Sequence, residues 1–543
     1  MDKRIKNTCH AFNIFLTSKF RFRHRLGLLS LFCVVCCLSC GGGGGNGSSG
    51  TNTNTTVTTY TLSGSVSGSI AGGVTITISG GSASSTTTDA SGSYSFTGLS
   101  AGTYTVTPTR TGYTFNPTSS AVTITNSNIT ATNFTSSAST LSIGDRTDYS
   151  SITLTSGGMY SSGSSSVSRN YYEYTSTTSD SPAIKVAPGG SLTLTHSKAT
   201  KSGGATASTE NSGFYGFNSG VLASSSSSTN SYVETNRTTA VTMTDCTITT
   251  SVAGANGAFA FGEGATVNLD YVTIVTTGSN NSRGVDATYG GTINITNSTI
   301  STQGGSCAAL ATDRYQGSTA PTINAQNVIG TTTGTGSPGI YCTGTFTVGD
   351  STLTATGSEA AVIEGLNSVI LTNTSISGAA KWGVMIYQSM SGDSSTGTGT
   401  FSMTNGTLTN GYSSGPAFFV CNTDAVITLN GATINNSSSL LLVAGKASTA
   451  STYIGNVNSS WGTSGGVVTF TAQNQTLVGS VLICDSSSSL ALTLTNSTFE
   501  GEIDSRNLGG ANTVTMDSDS TWTLMGNSYI KTLNNNGGTI NKA

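Results

Sequence analysis

An eight-residue pattern constrains this chain more than anything else in it. The order is apolar, polar, apolar, polar, then Asn or Asp, then a small residue, Thr or Ser, and a final apolar residue. It reads V-T-M-T-D-C-T-I from Val241, V-N-L-D-Y-V-T-I from Val267, I-N-I-T-N-S-T-I from Ile293 and F-T-V-G-D-S-T-L from Phe346. Further copies start at Val369, Phe401, Ile427 and Leu492, and weaker ones at Leu192, Ile323, Val468 and Val514. Alternation with period two sends residues i and i+2 to one face of a strand. A second apolar stretch lies between copies, as in Ala258-Phe259-Ala260-Phe261, Phe418-Phe419-Val420 and Leu440-Leu441-Leu442-Val443. Each repeat of about two dozen residues therefore holds two or three short strands and no helical period. One such unit cannot bury its apolar face alone, so neighbours must stack, as they do in a β-solenoid. The long gaps before Val241 and before Val468 leave room for an extra or an expanded coil at each place.

The fifth position is Asn or Asp in seven of the twelve copies: Asp245, Asn297, Asn327, Asp350, Asn373, Asn405 and Asn496. A tight turn between strands calls for left-handed backbone, which Asn and Asp tolerate best among residues with a side chain. Stacked amides also bond along the rod. These seven are predicted to form a structural turn ladder.

Composition narrows the alternatives. Only 8% of the residues are charged, 35% are hydrophobic, and there are 69 glycines against 7 prolines. A helical bundle needs Ala, Glu, Lys and Leu in quantity, and collagen needs glycine at every third position. Neither fits. The inward alternation with an Asn turn resembles the right-handed parallel β-helix of the pectin-lyase-like superfold, and Thr521–Ile540 is similar to the passenger-domain ends of autotransporter adhesins. The expected fold is all-β: a small β-sandwich followed by a long right-handed parallel β-helix.

The first forty residues carry seven basic side chains against Asp2, then an apolar run from Leu26 to Leu38 that is too short to span a bilayer as a helix. The run ends in Cys37-Leu38-Ser39-Cys40 and five glycines. This resembles a bacterial lipoprotein signal, although Cys37 stands where Leu is usual. The resemblance implies cleavage after Ser39, lipid attachment at Cys40, and anchoring at the bacterial outer membrane or cell surface. An ordinary secretory signal with an incidental cysteine is the plainer alternative. From Gly41 onward 14 basic residues face 23 acidic ones, which disfavours nucleic acid as a partner.

The predicted division is a signal peptide at 1–40, a Gly/Ser/Thr-rich linker at 41–57, a sandwich module at 58–136, an irregular cap with the first coils at 137–230, and the regular β-helix at 231–543. Within the module, T-T-D-A-S-G-S-Y-S-F-T-G-L-S-A-G-T-Y-T-V, Thr87 to Val106, resembles carboxypeptidase-regulatory-like and collagen-adhesin B-type modules, which act as spacers. Some of these carry a Lys–Asn cross-link; this segment has no lysine.

Chemistry-bearing residues are sparse. His196 is the one histidine beyond the signal, and it occupies a turn position. Arg283 with Asp286, Asp313 with Arg314, and Glu359 with Glu364 are the nearest acid–base groupings; they are expected to pair at the surface. Trp382 is expected to cap an irregular coil rather than stack on a sugar, and Tyr160, Tyr171, Tyr172, Tyr174, Phe214, Tyr215 and Phe217 to cap the open N-terminal end of the solenoid. Cys246, Cys307, Cys342, Cys421 and Cys484 have no C-x-x-C spacing and most lie among apolar residues, which suits small core residues rather than zinc or a disulfide framework. No metal or cofactor is expected. The expected function is a non-catalytic, adhesin-like or structural lipoprotein, held to the membrane by its lipid and contacting glycans or other surface proteins. The alternative is a polysaccharide lyase or glycoside hydrolase on the same fold, which needs paired carboxylates or a calcium–arginine site on one face. An ice- or mineral-binding solenoid needs even coil lengths, and the spacings here are uneven.

Overall fold

The computed structural model describes residues 58–543, except 69, 90, 111–112, 131, 139–149, 154–158, 161–165, 229–230, 236, 456 and 459–460. The signal, the linker and Cys40 lie outside the described residues.

Eight strands form the first part: β1 (Tyr60–Gly68), β2 (Thr75–Gly80), β3 (Ser84–Thr87), β4 (Ser93–Leu99), β5 (Gly102–Thr109), β6 (Tyr113–Asn116), β7 (Ser120–Ile124) and β8 (Phe134–Ala138). They make two four-stranded sheets, ordered β4-β1-β8-β6 and β3-β2-β5-β7. Strand β1 pairs parallel with β8, and the other pairings are antiparallel. Alternate residues turn inward, so Leu62, Val66, Ile76, Ile78, Phe96, Tyr104, Val106 and Phe134 build one apolar core. At Gly64 the sheet crowds the Thr132 carbonyl, which a Cβ would meet at 1.9 Å.

The remainder is a parallel β-solenoid. A 23-stranded sheet and a 12-stranded sheet run along it, and a four-stranded sheet joins them near the C-terminal end. The eight-residue motif supplies the longer sheet. Each copy gives two short strands meeting at a corner, for example Thr292–Thr296 and Thr299–Thr302 about Asn297. The copies stack in register, with Val241 on Val267, Val267 on Ile293, Phe346 on Val369 and Val369 on Phe401. Their inward side chains form one continuous core. The second apolar stretches make the shorter sheet.

Both long gaps are expanded coils, because the flanking copies pair directly: Leu192 on Val241, and Ile427 on Phe470. The first expansion contains helix α1 (Thr209–Tyr215), N-capped by the Ser208 side chain and closed by Gly216 in the left-handed region. The second contains helix α2 (Ala447–Ile454). The pairing of Ile427 with Phe470 moves the start of that copy two residues on from Val468, and its corner is Asn474. A further copy precedes Leu192: Val167 pairs with it.

The five described cysteines are free and buried. Burial pushes the thiols of Cys246, Cys342, Cys421 and Cys484 up to about 12, and that of Cys307 up to about 11. Cys246 occupies a column just past the corners that is otherwise rich in Ser and Thr. There the turning chain leaves an inward N–H, and the hydroxyl of the next coil accepts it: Val272 N donates to Ser298 Oγ (2.9 Å), Val328 N to Ser351 Oγ (2.9 Å) and Gln475 N to Ser497 Oγ (3.0 Å). The Cys246 sulfur does the same for Ser197 N. This internal ladder satisfies backbone donors that burial would otherwise penalise.

Candidate functional site

The seven turn residues occupy the corners of the longer sheet, with φ between 45° and 57°. The side-chain ladder is segmented. Asn327 Nδ2 donates to Asn297 Oδ1 (3.0 Å), and Asn297 Nδ2 to Asp270 Oδ1 (2.7 Å). Asn405 donates to Asn373 (3.1 Å) and Asn373 to Asp350 (3.3 Å). Asn496 donates to Asn474 (2.8 Å) and Asn474 to Asn430 (2.9 Å). Asp245 pairs with His196 Nε2 at 3.1 Å, and His196 stacks on Tyr171. Where the corner residue itself is Tyr271 or Gly431, the preceding Asp270 or Asn430 supplies the bond; the motif's strict fifth position hid these two. Asp350 also carries a contact from the sandwich: Arg110 lies 3.2 Å from its carboxylate.

The densest ionisable group lies elsewhere, on the outer face of the shorter sheet. Strands Ala258–Phe261, Val285–Thr288, Leu310–Asp313, Ala361–Glu364, Val384–Tyr387 and Phe418–Cys421 are buried at all four positions, so that face is covered. The apolar reason differs at the two ends. Toward the N-terminus, Tyr215 of α1 and Tyr232 pack on Phe261 and Tyr289. Toward the C-terminus, α2 and Trp461 cover Trp382, Met385, Tyr387 and Phe419. Trp382 is thus a core residue, 1% exposed.

Between the two aromatic patches the outward residues are polar. Arg283 Nη1 donates to Asp286 Oδ2 at 2.6 Å and also to Asp313. Asp286 is 0% exposed, and its Oδ1 has no partner. Tyr341 and Tyr387 each donate a hydroxyl to Glu364 at 3.0 Å, and Ser389 donates to its other oxygen. The expectation of surface ion pairs fails here: Arg283, Asp286, Asp313, Arg314, Glu359 and Glu364 are all buried. Helix α1 and the coil-to-coil loops enclose the face, which a reading of single strands does not reveal. The pairing also differs. Asp313 bonds Arg283 rather than Arg314, whose Nη1 reaches the Ser318 carbonyl (3.4 Å), and Glu359 meets Lys381 at 3.5 Å rather than Glu364.

Electrostatics follow from one arginine serving two carboxyls. Burial raises Asp286 to about 8; Arg283 opposes this and the Asp313 charge reinforces it. Burial likewise raises Asp313 to about 6, against Arg283. Burial disfavours the Arg283 charge, but Asp313 and Asp286 more than offset that, so it stays cationic. Burial lifts Glu364 as well, and its three hydroxyl donors pull it part of the way back. A cavity of about 370 Å³ adjoins the cluster, lined by Glu210, Phe214, Arg283, Asp313, Tyr341 and Asp393 among others. An acid that keeps its proton beside an ionised carboxylate is one pattern of acid–base sites. Here both carboxyls are held by the same guanidinium, and the more basic one is sealed from solvent. Among the described residues no group of three or more His, Cys, Asp or Glu is placed to hold a metal ion.

Residues 61–137 match the carboxypeptidase regulatory-like domain family. This regulatory-like domain is the sandwich of β1–β8, and the match ends where the solenoid has yet to begin. No curated protein matches the chain at significant similarity.

Proposed function

We propose that the chain is an exported surface lipoprotein, anchored through Cys40, whose β-solenoid contacts glycans or other surface proteins without turning them over. A basic start, a short apolar run, Ser39 and a glycine tether support the anchor. Stacked parallel strands with Asn corners support placing the solenoid with the right-handed, pectin-lyase-like helices. One observation carries the non-catalytic reading: the ionisable groups of the outer face are closed on themselves. Arg283 is engaged by two carboxylates, and Glu364 by three hydroxyls. Glu210 and Asp393 line the cavity beside them outside that closed network, while surface hydroxyls and amides abound and suit weak contacts repeated over many copies. The test is to incubate the purified protein with neutral and acidic polysaccharides, with and without calcium, and to measure retention and reducing ends. Retention without new ends supports the proposal.

A second reading, carbohydrate cleavage on the same fold, is favoured by the raised Asp286 and Asp313 beside a 370 Å³ cavity. Product formation that disappears in Asp313→Asn would establish it.

A further inference from the structure

The cavity of about 370 Å³ beside the buried cluster is anionic. Three of its four charged lining residues are acids, Glu210, Asp313 and Asp393. The fourth, Arg283, is already divided between Asp286 and Asp313. Glu210 is exposed and Asp393 half-buried. Neither carboxylate meets a cation or a hydrogen-bond donor among the described residues. The cavity therefore holds more negative charge than its one arginine offsets.

Two further features turn that charge toward a particular kind of ligand. Asp313 is 6% exposed, and Arg283 occupies its Oδ2 while no donor of the chain reaches its Oδ1. Oδ1 of Asp286 also lacks a donor but is sealed, whereas Asp313 lines the cavity and its Oδ1 keeps accessible surface. A largely buried carboxylate oxygen left unmet carries a desolvation penalty, and a charged donor entering the cavity removes it. The second feature is aromatic. Phe214 and Tyr341 form part of the wall, and ring faces attract cations and pack against apolar C–H surface. Among the described residues no three acids are placed to hold a metal ion. Spread carboxylates with aromatic walls suit a cation larger than a metal.

We propose that this cavity binds an amino sugar in its protonated form, with the ammonium donating to Asp313 Oδ1 in the field of Glu210 and Asp393 and the ring packed on Phe214 and Tyr341. The volume lies near the lower end of small-molecule sites, which suits a single sugar unit with its neighbours outside. An N-acetylated unit lacks the charge, and a uronate brings a carboxylate that the site repels. This assignment rests on the glycan-contact reading above and adds its place and its ligand class.

The experiment is isothermal titration of the full chain with the glucosamine trimer and with its fully N-acetylated counterpart, at a pH that keeps the amine protonated. The amine form should bind saturably, about tenfold more tightly than the acetylated form, and should weaken as salt is added. Asp313→Asn should weaken it about tenfold. That change also frees Arg283, so the rim supplies a second test. Glu210→Gln combined with Asp393→Asn leaves the buried cluster intact and should weaken binding about fivefold. Glu500→Gln removes an exposed acid on another sheet and should leave binding unchanged. Equal binding of the two trimers overturns the ligand class while glycan contact stands. A preference for the amine that survives the rim variant, or falls as much in Glu500→Gln, overturns the cavity as its place. Failure of both trimers to bind overturns the assignment; the glycan reading itself falls only if the polysaccharides of the retention assay are not held either.

Discussion

Replacing Asn297 separates backbone strain from side-chain bonding in the corner ladder. Asn297 sits at φ 51°. It donates to Asp270 Oδ1 at 2.7 Å and accepts from Asn327 Nδ2 at 3.0 Å. In Asn297→Ala the left-handed backbone costs about 1 kcal/mol. The two lost bonds cost about 0.5–1.5 kcal/mol each, with the bond to the charged Asp270 at the upper end. Asn327 is 8% exposed, so the bond it loses lies in a largely buried place. The total is about 2–4 kcal/mol. Asn297→Gly loses the same bonds without the strain and should be more stable than Ala by about 1 kcal/mol. Asn297→Asp keeps the corner but sets a carboxylate against Asp270, so it should be destabilised at neutral pH and recover as the medium is acidified. Urea unfolding followed by circular dichroism measures all three. Equal stability of the Ala and Gly variants, or an Asp variant indifferent to pH, would refute the idea that these residues are chosen for both geometry and bonding.

Other expectations follow from the same interior. Leu371 and Ile295 are 0% exposed, and replacing either with Asp should cost several kcal/mol by burying an unpaired charge, visible as loss of soluble protein or a fall in melting temperature. The five core thiols should resist alkylation in the native chain and react fully in denaturant, and reductant should leave the melting temperature unchanged; a large fall would reveal a disulfide. Asp286 and Asp313 have folded pKa values raised to about 8 and about 6, so the folded state holds more protons than the unfolded one between about pH 4 and those values. Stability should therefore decline as pH rises from about 4 to about 8, on the order of 1 kcal/mol per pH unit for each proton and most steeply below about 6 where both are held, and Asp286→Asn should flatten the decline. Cys40→Ser should release the protein from the membrane fraction; unchanged retention would remove the anchor.

The fold was legible because period-two alternation and a recurring corner residue are local properties, and copies such as Ile293–Ile300 carry them in eight residues. The corners at Tyr171, His196, Tyr271 and Gly431 escaped the Asn/Asp pattern because stacking from neighbouring coils imposes left-handed backbone whatever the residue. Asn474 escaped because Val468 and Phe470 both fit an alternating strand, and only pairing with Ile427 decides between them. The polar cluster was not legible at all. Arg283 and Asp313 are 30 residues apart in sequence, and what buries them is α1 and the coil-to-coil loops, whose docking no strand pattern encodes.

The most direct test of the central claim is mass spectrometry of the glycan recovered after prolonged incubation with the native chain. The expected result is retention by the protein and return of the oligosaccharide at its starting mass, with or without calcium. Shortened or unsaturated products that vanish in Asp313→Asn would contradict a non-catalytic surface protein and make the buried Arg283–Asp286–Asp313 cluster an active site.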